Sequence, residues 1–133
     1  MKILGKEYGL RYTVGAQEEI LALCPEKDIT RLAEALYGES GEEKEVNRKA
    51  AQLPIILSDW HERTESLRAK AEGREYMPAP LDWETIQFLT VEEFSSLMEE
   101  AFLAMSRDSG REVKTDNAVD EKKTDAAADT SLS

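Results

Sequence analysis

The sequence predicts a mainly α-helical protein, in which a small N-terminal β-hairpin packs on a bundle of about four helices. One helix is expected to be long and kinked at a proline, and a disordered tail is expected to follow the bundle. Three observations support this fold class. Apolar residues recur at helical spacing through residues 14–105, and they alternate at period two only near the N-terminus. Residues 106–133 contain no Phe, Tyr, Trp, Ile or Met. We therefore predict a helical domain at 1–105 and a disordered tail at 106–133.

The hairpin is predicted from KILGKEYGLRYT, residues 2–13. Tyr8, Leu10 and Tyr12 alternate at period two, and Gly5 can supply the positive φ of a tight turn. Because two strands are marginally stable alone, the hairpin should lie against helices.

Two short helices are expected next. Thr13 can cap the first and Pro25 can end it, with an apolar face made of Ala16, Ile20, Leu23 and Cys24. Asp28 can cap the second, and Gly38 suits the position after its C-terminus. The apolar face of this second helix comprises Ile29, Leu32, Ala33 and Leu36.

The longest helix is predicted to begin at a capping box of Ser40 and Glu43 and to run to about Gly73. Its apolar stripe alternates in steps of four and three, which is a heptad pattern. The stripe consists of Val46, Ala50, Leu53, Leu57, Trp60, Thr64, Leu67 and Ala71, of which only Thr64 is not apolar. This helix should be the centre of the fold.

Pro54 lies where Ile55 and Ile56 widen that stripe. Proline removes a helical hydrogen bond and clashes with the preceding turn, so we expect a kink near the Ala50 carbonyl. Two interpretations stay open: the bent surface wraps the protein's own core, or it binds another polypeptide. In the second case Leu53, Ile55, Ile56 and Trp60 are the candidate contact residues.

The last helical unit is predicted to contain a short turn capped by Asp82 and a longer helix opened by a capping box of Thr90 and Glu93. The apolar face of the longer helix comprises Val91, Phe94, Leu97, Met98, Ala101 and Met105.

Composition restricts the classes of partner. The formal net charge of −11 disfavours binding to nucleic acid or to anionic membranes, which requires an excess of Lys and Arg. No apolar run approaches the roughly 18 residues of a membrane span, and the N-terminus lacks a signal-peptide pattern. The single cysteine, Cys24, fits a reducing cytosol.

Nothing in the sequence predicts catalysis. His61 and Glu62 begin a pattern similar to a zinc helix, but Glu65 stands where the second histidine should be. Cys24 falls on an apolar helix face, and the adjacent glutamate pairs point about 100° apart on their helices. We expect a protein that is not an enzyme and has no metal or cofactor.

The order of these elements resembles the tail assembly chaperones of long-tailed, siphovirus-like bacteriophages and prophages. The resemblance covers roughly residues 2–105, and its most telling stretches are GKEYGLRYTVGAQEEILALCP (5–25) and LTVEEFSSLMEEAF (89–102). Members of this family often have Asn-Gly at the hairpin turn, where this sequence has Leu4 and Gly5.

The resemblance implies a protein of the host cytoplasm that is absent from the mature virion. Such a protein would bind and solubilise the tape-measure protein, a very long helical chain, and would help to recruit tail tube subunits. Two alternatives remain open from the sequence: an acidic DNA mimic that inhibits a host nucleic-acid-binding protein, and a minor structural component of the tail.

Overall fold

The computed structural model describes residues 1–37 and 46–110 and confirms the predicted fold class. The first two strands form an antiparallel hairpin, β1 (Lys2–Ile3) and β2 (Lys6–Glu7). Within the described ranges, five α-helices follow: α1 (Val14–Leu23), α2 (Leu32–Tyr37), α3 (Val46–Ala71), α4 (Trp83–Ile86) and α5 (Val91–Ser109). Two 3₁₀ turns, Pro25–Lys27 and Ile29–Arg31, connect α1 to α2.

The hairpin turn consists of Leu4 and Gly5, because Ile3 pairs with Lys6 across the two strands. Both turn residues have positive φ, 51° for Leu4 and 84° for Gly5, as a type I′ turn requires. Leucine rarely adopts this conformation, because its Cβ is crowded by the backbone. The predicted period-two segment after the turn is only partly a strand: β2 ends at Glu7, and residues 8–13 continue as irregular backbone.

The predicted helix caps are confirmed wherever the structure describes them. The side chains of Thr13, Asp28 and Asp82 each accept a hydrogen bond from a backbone amide of the following turn. Thr90 and Glu93 form the complete capping box at the start of α5. The predicted box of Ser40 and Glu43 and the predicted role of Gly38 lie outside the described residues.

The long central helix α3 contributes to two apolar clusters. The first cluster joins α3 to α1, α2 and α5 and includes Ile20, Leu36, Leu53, Leu57 and Met105. The second joins α3 to the hairpin, α4 and α5 and includes Ile3, Tyr8, Ala51, Leu81 and Leu97. The hairpin therefore packs on helices, as its small size requires.

Helix α5 extends past the predicted domain boundary at Met105. It continues to Ser109, and Gly110 ends it with a φ of 75°. Asp108 accepts a hydrogen bond from the Tyr12 amide at 2.8 Å, and Arg107 donates one to the Leu10 carbonyl at 2.8 Å. A prediction from apolar content misses these residues because polar contacts hold them, so the folded domain reaches at least Gly110. Residues 111–133, where the disordered tail is predicted, lie outside the described residues.

Candidate functional site

The four residues predicted as partner contacts all lie in the middle of α3. Leu53 is completely buried in the first apolar cluster, which leaves it no surface for a partner in this conformation. Ile56 and Trp60 are partly buried against the same cluster, and Ile55 is partly buried against the second. This part of α3 is therefore core in the folded chain, and partner contact by Ile55, Ile56 and Trp60 stays a prediction.

Trp60 is held by three groups of its own chain. Its indole packs so closely on Gly15 of α1 that a Cβ at that glycine would lie 2.3 Å from Trp60 Cη2. Its Nε1 donates a hydrogen bond to Glu19 at 3.1 Å, and the Arg63 guanidinium lies 4.4 Å from the ring centroid. These contacts make Trp60 a link between α1 and α3.

His61, which the sequence offered only as part of an incomplete zinc-helix pattern, also has a structural contact. A Cβ at Gly9 would lie 2.3 Å from His61 Nε2, so only glycine allows the connecting segment (residues 8–13) to pass this close to α3. The Arg11 amide in the same segment donates to the Leu57 carbonyl at 3.1 Å. At Arg11 the connecting segment thus takes its backbone partner from a helix, whereas at Tyr8 it pairs with Met1, next to β1.

Pro54 is buried within α3, which is one continuous helix through this residue. This confirms one helix instead of two, and the kink itself stays a prediction. The predicted heptad stripe is buried at Ala50, Leu53 and Leu57, but Leu67 of the same stripe is 70% exposed. A second buried row follows steps of four residues, Ala50, Pro54, Ser58 and Glu62. Rows spaced by four run obliquely around a helix, so the covered face turns away from the Leu67 side.

Ser58 and Glu62 are buried because they bind the loop that follows α3. Ser58 Oγ accepts a hydrogen bond from the Leu81 amide at 2.8 Å. Glu62 Oε1 accepts one from the Tyr76 hydroxyl at 2.9 Å and one from the Ala79 amide at 3.0 Å. Partial burial and the bond to Glu62 both raise the pKa of the Tyr76 hydroxyl. These polar contacts fix residues 74–81 along the second half of α3.

A groove of about 480 Å³ lies between the second half of α3 and this loop. We call it the α3 groove, and it is lined by Asp59, Glu62, Arg63, Ser66, Leu67, Lys70, Pro78 and Pro80. Most of its accessible wall is apolar. Met77, in the same loop, is 88% exposed. The sequence did not single out this groove, because its far wall is an irregular proline-containing loop with no periodic signal.

A second cavity, of about 360 Å³, is polar and lies beside the connecting segment. Its charged lining contains residues of both signs, Glu7, Arg11, Glu100, Arg107 and Asp108, and His61 also lines it. Arg107 and Asp108 are paired at 2.8 Å, and the hydrogen bond from Arg107 is the main reason that the pKa of Asp108 is lowered. Arg107 and Asp108 also bind the backbone of Leu10 and Tyr12, so they hold the C-terminal end of α5 to the connecting segment, which is a structural role.

Cys24 and His61 give no sign of a reactive pair. The Cys24 thiol is buried and donates to the Ile20 carbonyl at 3.4 Å, and burial raises its pKa. A thiol of raised pKa is a poor nucleophile. Among residues 1–37 and 46–110, no three His, Cys, Asp or Glu side chains are grouped closely enough to hold a metal ion.

Comparison with known proteins identifies no relative: no family model matches the chain, and neither a curated protein nor a solved structure is significantly similar to it. Of the helices in the described ranges, none combines the length and the apolar character that crossing a bilayer would require.

Proposed function

We propose that this protein is a non-enzymatic tail assembly chaperone of a long-tailed phage or prophage. In this proposal it binds the tape-measure protein in the host cytoplasm, keeps that protein soluble and helps to recruit tail tube subunits. It is absent from the finished virion. The proposal rests on the sequence resemblance of residues 5–25 and 89–102, and on a surface that suits the binding of an apolar helix.

The observation that carries the proposal is the exposure of large apolar side chains on an acidic helical domain. Leu67, Met77, Phe88 and Val91 are each between 70% and 88% exposed, in a chain of formal net charge −11. Exposed apolar groups can cover the apolar face of a long helical partner. The excess negative charge then keeps the resulting complexes apart in solution.

The DNA-mimic alternative is less well supported by the arrangement of charges. A mimic of the DNA backbone needs carboxylates that are free to meet a basic partner. Here several are paired with arginines of the same chain: Asp59 with Arg63 at 3.0 Å, Glu65 with Arg68 at 2.9 Å and Glu34 with Arg31 at 3.0 Å. These pairs interrupt any continuous acidic face on the elements concerned.

The test is co-expression with the tape-measure protein encoded in the same genome. We expect that protein to be mainly insoluble alone and mainly soluble when this chain is made with it, because its apolar stripe is then covered. The control replaces this chain with an unrelated acidic helical protein of similar size. An equal soluble fraction with the chain and with the control would contradict the proposal.

A further inference from the structure

The α3 groove is built from parts that the rest of the fold holds in place. One wall is the second half of a continuous helix, and the other is fixed to it by the hydrogen bonds of Ser58 and Glu62 to the loop. Lys6 of the hairpin also donates to the Ala79 carbonyl at 3.0 Å, so the outer side of the loop is supported as well. A surface that is already ordered loses little entropy when a ligand binds.

The apolar part of the groove is accessible, and it makes up most of the groove's wall. Leu67 is 70% exposed, and Pro78 and Pro80 stand opposite with no backbone amide to offer. The lining of α3 runs from Asp59 to Lys70, a length of roughly 16 Å or three helical turns. A partner that lies along it can therefore present apolar side chains from successive turns of one helix.

The charged residues of the groove determine which charged group of a partner can pair with it. Asp59 and Arg63 neutralise each other at 3.0 Å, and Glu62 is only 9% exposed and already accepts two hydrogen bonds. The ammonium of Lys70, at the C-terminal end of the lining, forms no hydrogen bond or ion pair with any residue of 1–37 or 46–110. One cation is thus left to meet a carboxylate of the ligand.

We infer that the α3 groove binds a three-turn amphipathic helix of the tape-measure protein. The apolar side chains of that helix cover Leu67, Pro78 and Pro80, and one carboxylate pairs with Lys70. This inference rests on the proposed function, and it moves the contact surface from Ile55, Ile56 and Trp60 to the next turns of α3.

The experiment measures the binding of the full chain to synthetic 30-residue peptides that tile the tape-measure protein of the same genome, by fluorescence anisotropy. Leu67→Gln should weaken the tightest complex about tenfold, because a largely exposed leucine loses its apolar contact. The matched control is Leu103→Gln, which alters another exposed helical leucine, 56% exposed and outside the groove, and should leave the affinity unchanged. Thermal unfolding should confirm that both variants stay folded.

The charge contact has its own pair of variants. Lys70→Glu should weaken binding about threefold at low ionic strength and less in high salt, as a rim ion pair does. Lys27→Glu changes the net charge equally on an exposed residue outside the groove and should have a smaller effect. Changing the partner carboxylate to lysine should restore binding to Lys70→Glu.

The outcomes separate the groove from the proposed function. Equal affinities for Leu67→Gln and Leu103→Gln, with tight binding by the unaltered chain, would overturn the groove and leave the function standing. If the unaltered chain binds no peptide, the proposed function fails and the groove fails with it. If Leu67→Gln changes only the self-association of the chain in sedimentation experiments, the groove is an interface between copies, which also overturns the inference.

Discussion

The contact between Trp60 and Gly15 predicts that the effect of Gly15→Ala on the free energy of unfolding changes sign when Trp60 is replaced. A Cβ added at Gly15 would lie 2.3 Å from the indole, whereas non-bonded carbon atoms sit at roughly 3.5–4.0 Å. In Gly15→Ala the indole must therefore move by more than roughly 1 Å. That movement also disturbs its hydrogen bond to Glu19 and its contact with Arg63.

The expected change in the free energy of unfolding for Gly15→Ala is the sum of opposing effects. Alanine in place of glycine within a helix gains about 0.5–1 kcal/mol in the free energy of unfolding, because it restricts the unfolded chain. Overpacking against the indole costs about 1–3 kcal/mol. Loss of the Glu19 hydrogen bond adds a cost of about 1 kcal/mol. We expect Gly15→Ala to destabilise the protein by about 1–3.5 kcal/mol.

Urea denaturation followed by far-UV circular dichroism measures this change. In a Trp60→Leu background the same Gly15→Ala substitution should instead stabilise the protein by about 0.5 kcal/mol, because the clash is gone and the entropic gain remains. If Gly15→Ala lowers stability equally in both backgrounds, Trp60 does not occupy the space at Gly15. Our interpretation of Trp60 as a link between α1 and α3 would then be wrong.

Three further predictions concern the turn, the loop and the C-terminal end of α5. Leu4→Asn should raise the free energy of unfolding by about 0.5–1 kcal/mol, because asparagine tolerates the positive φ, whereas Leu4→Ala, measured in the same urea titration, should not. Ser58→Ala should cost about 1–3 kcal/mol by leaving the Leu81 amide unpaired, and hydrogen exchange of that amide should accelerate. The folded pKa of Asp108 is lowered, so its stabilisation is present above the unfolded pKa and is lost as pH falls through the folded value. Asp108→Asn should therefore cost about 1 kcal/mol at pH 7, and this cost should shrink as the pH is lowered through the acid range.

Local features of this fold could be predicted because they depend on neighbouring residues. The caps at Thr13, Asp82 and Thr90 involve a side chain and backbone amides within three positions, so sequence spacing is enough to find them. The turn at Leu4 and Gly5 is likewise short-range, although leucine is an unfavourable residue for it. The mainly helical class followed from the same local periodicity.

The site could not be predicted at the same level, because long-range contacts decide it. Whether Trp60 faces a partner or its own chain depends on Gly15, which is 45 positions away in the sequence. Leu67 continues the apolar stripe in the sequence and is exposed only because the loop covers Glu62 and Ser58 instead. Val91 is similar: it fits the predicted apolar face of α5 but is 79% exposed.

The central claim is that the protein binds the tape-measure chain during assembly and leaves before the particle is complete. Its most direct test is quantitative mass spectrometry of two samples from cells that assemble tails: material captured on an affinity-tagged copy of this chain, and purified particles. We predict that the captured material is enriched in tape-measure protein and that the particles lack this chain. A fixed number of copies in the particles, or capture of a nucleic-acid-binding enzyme in place of the tape measure, would contradict the account.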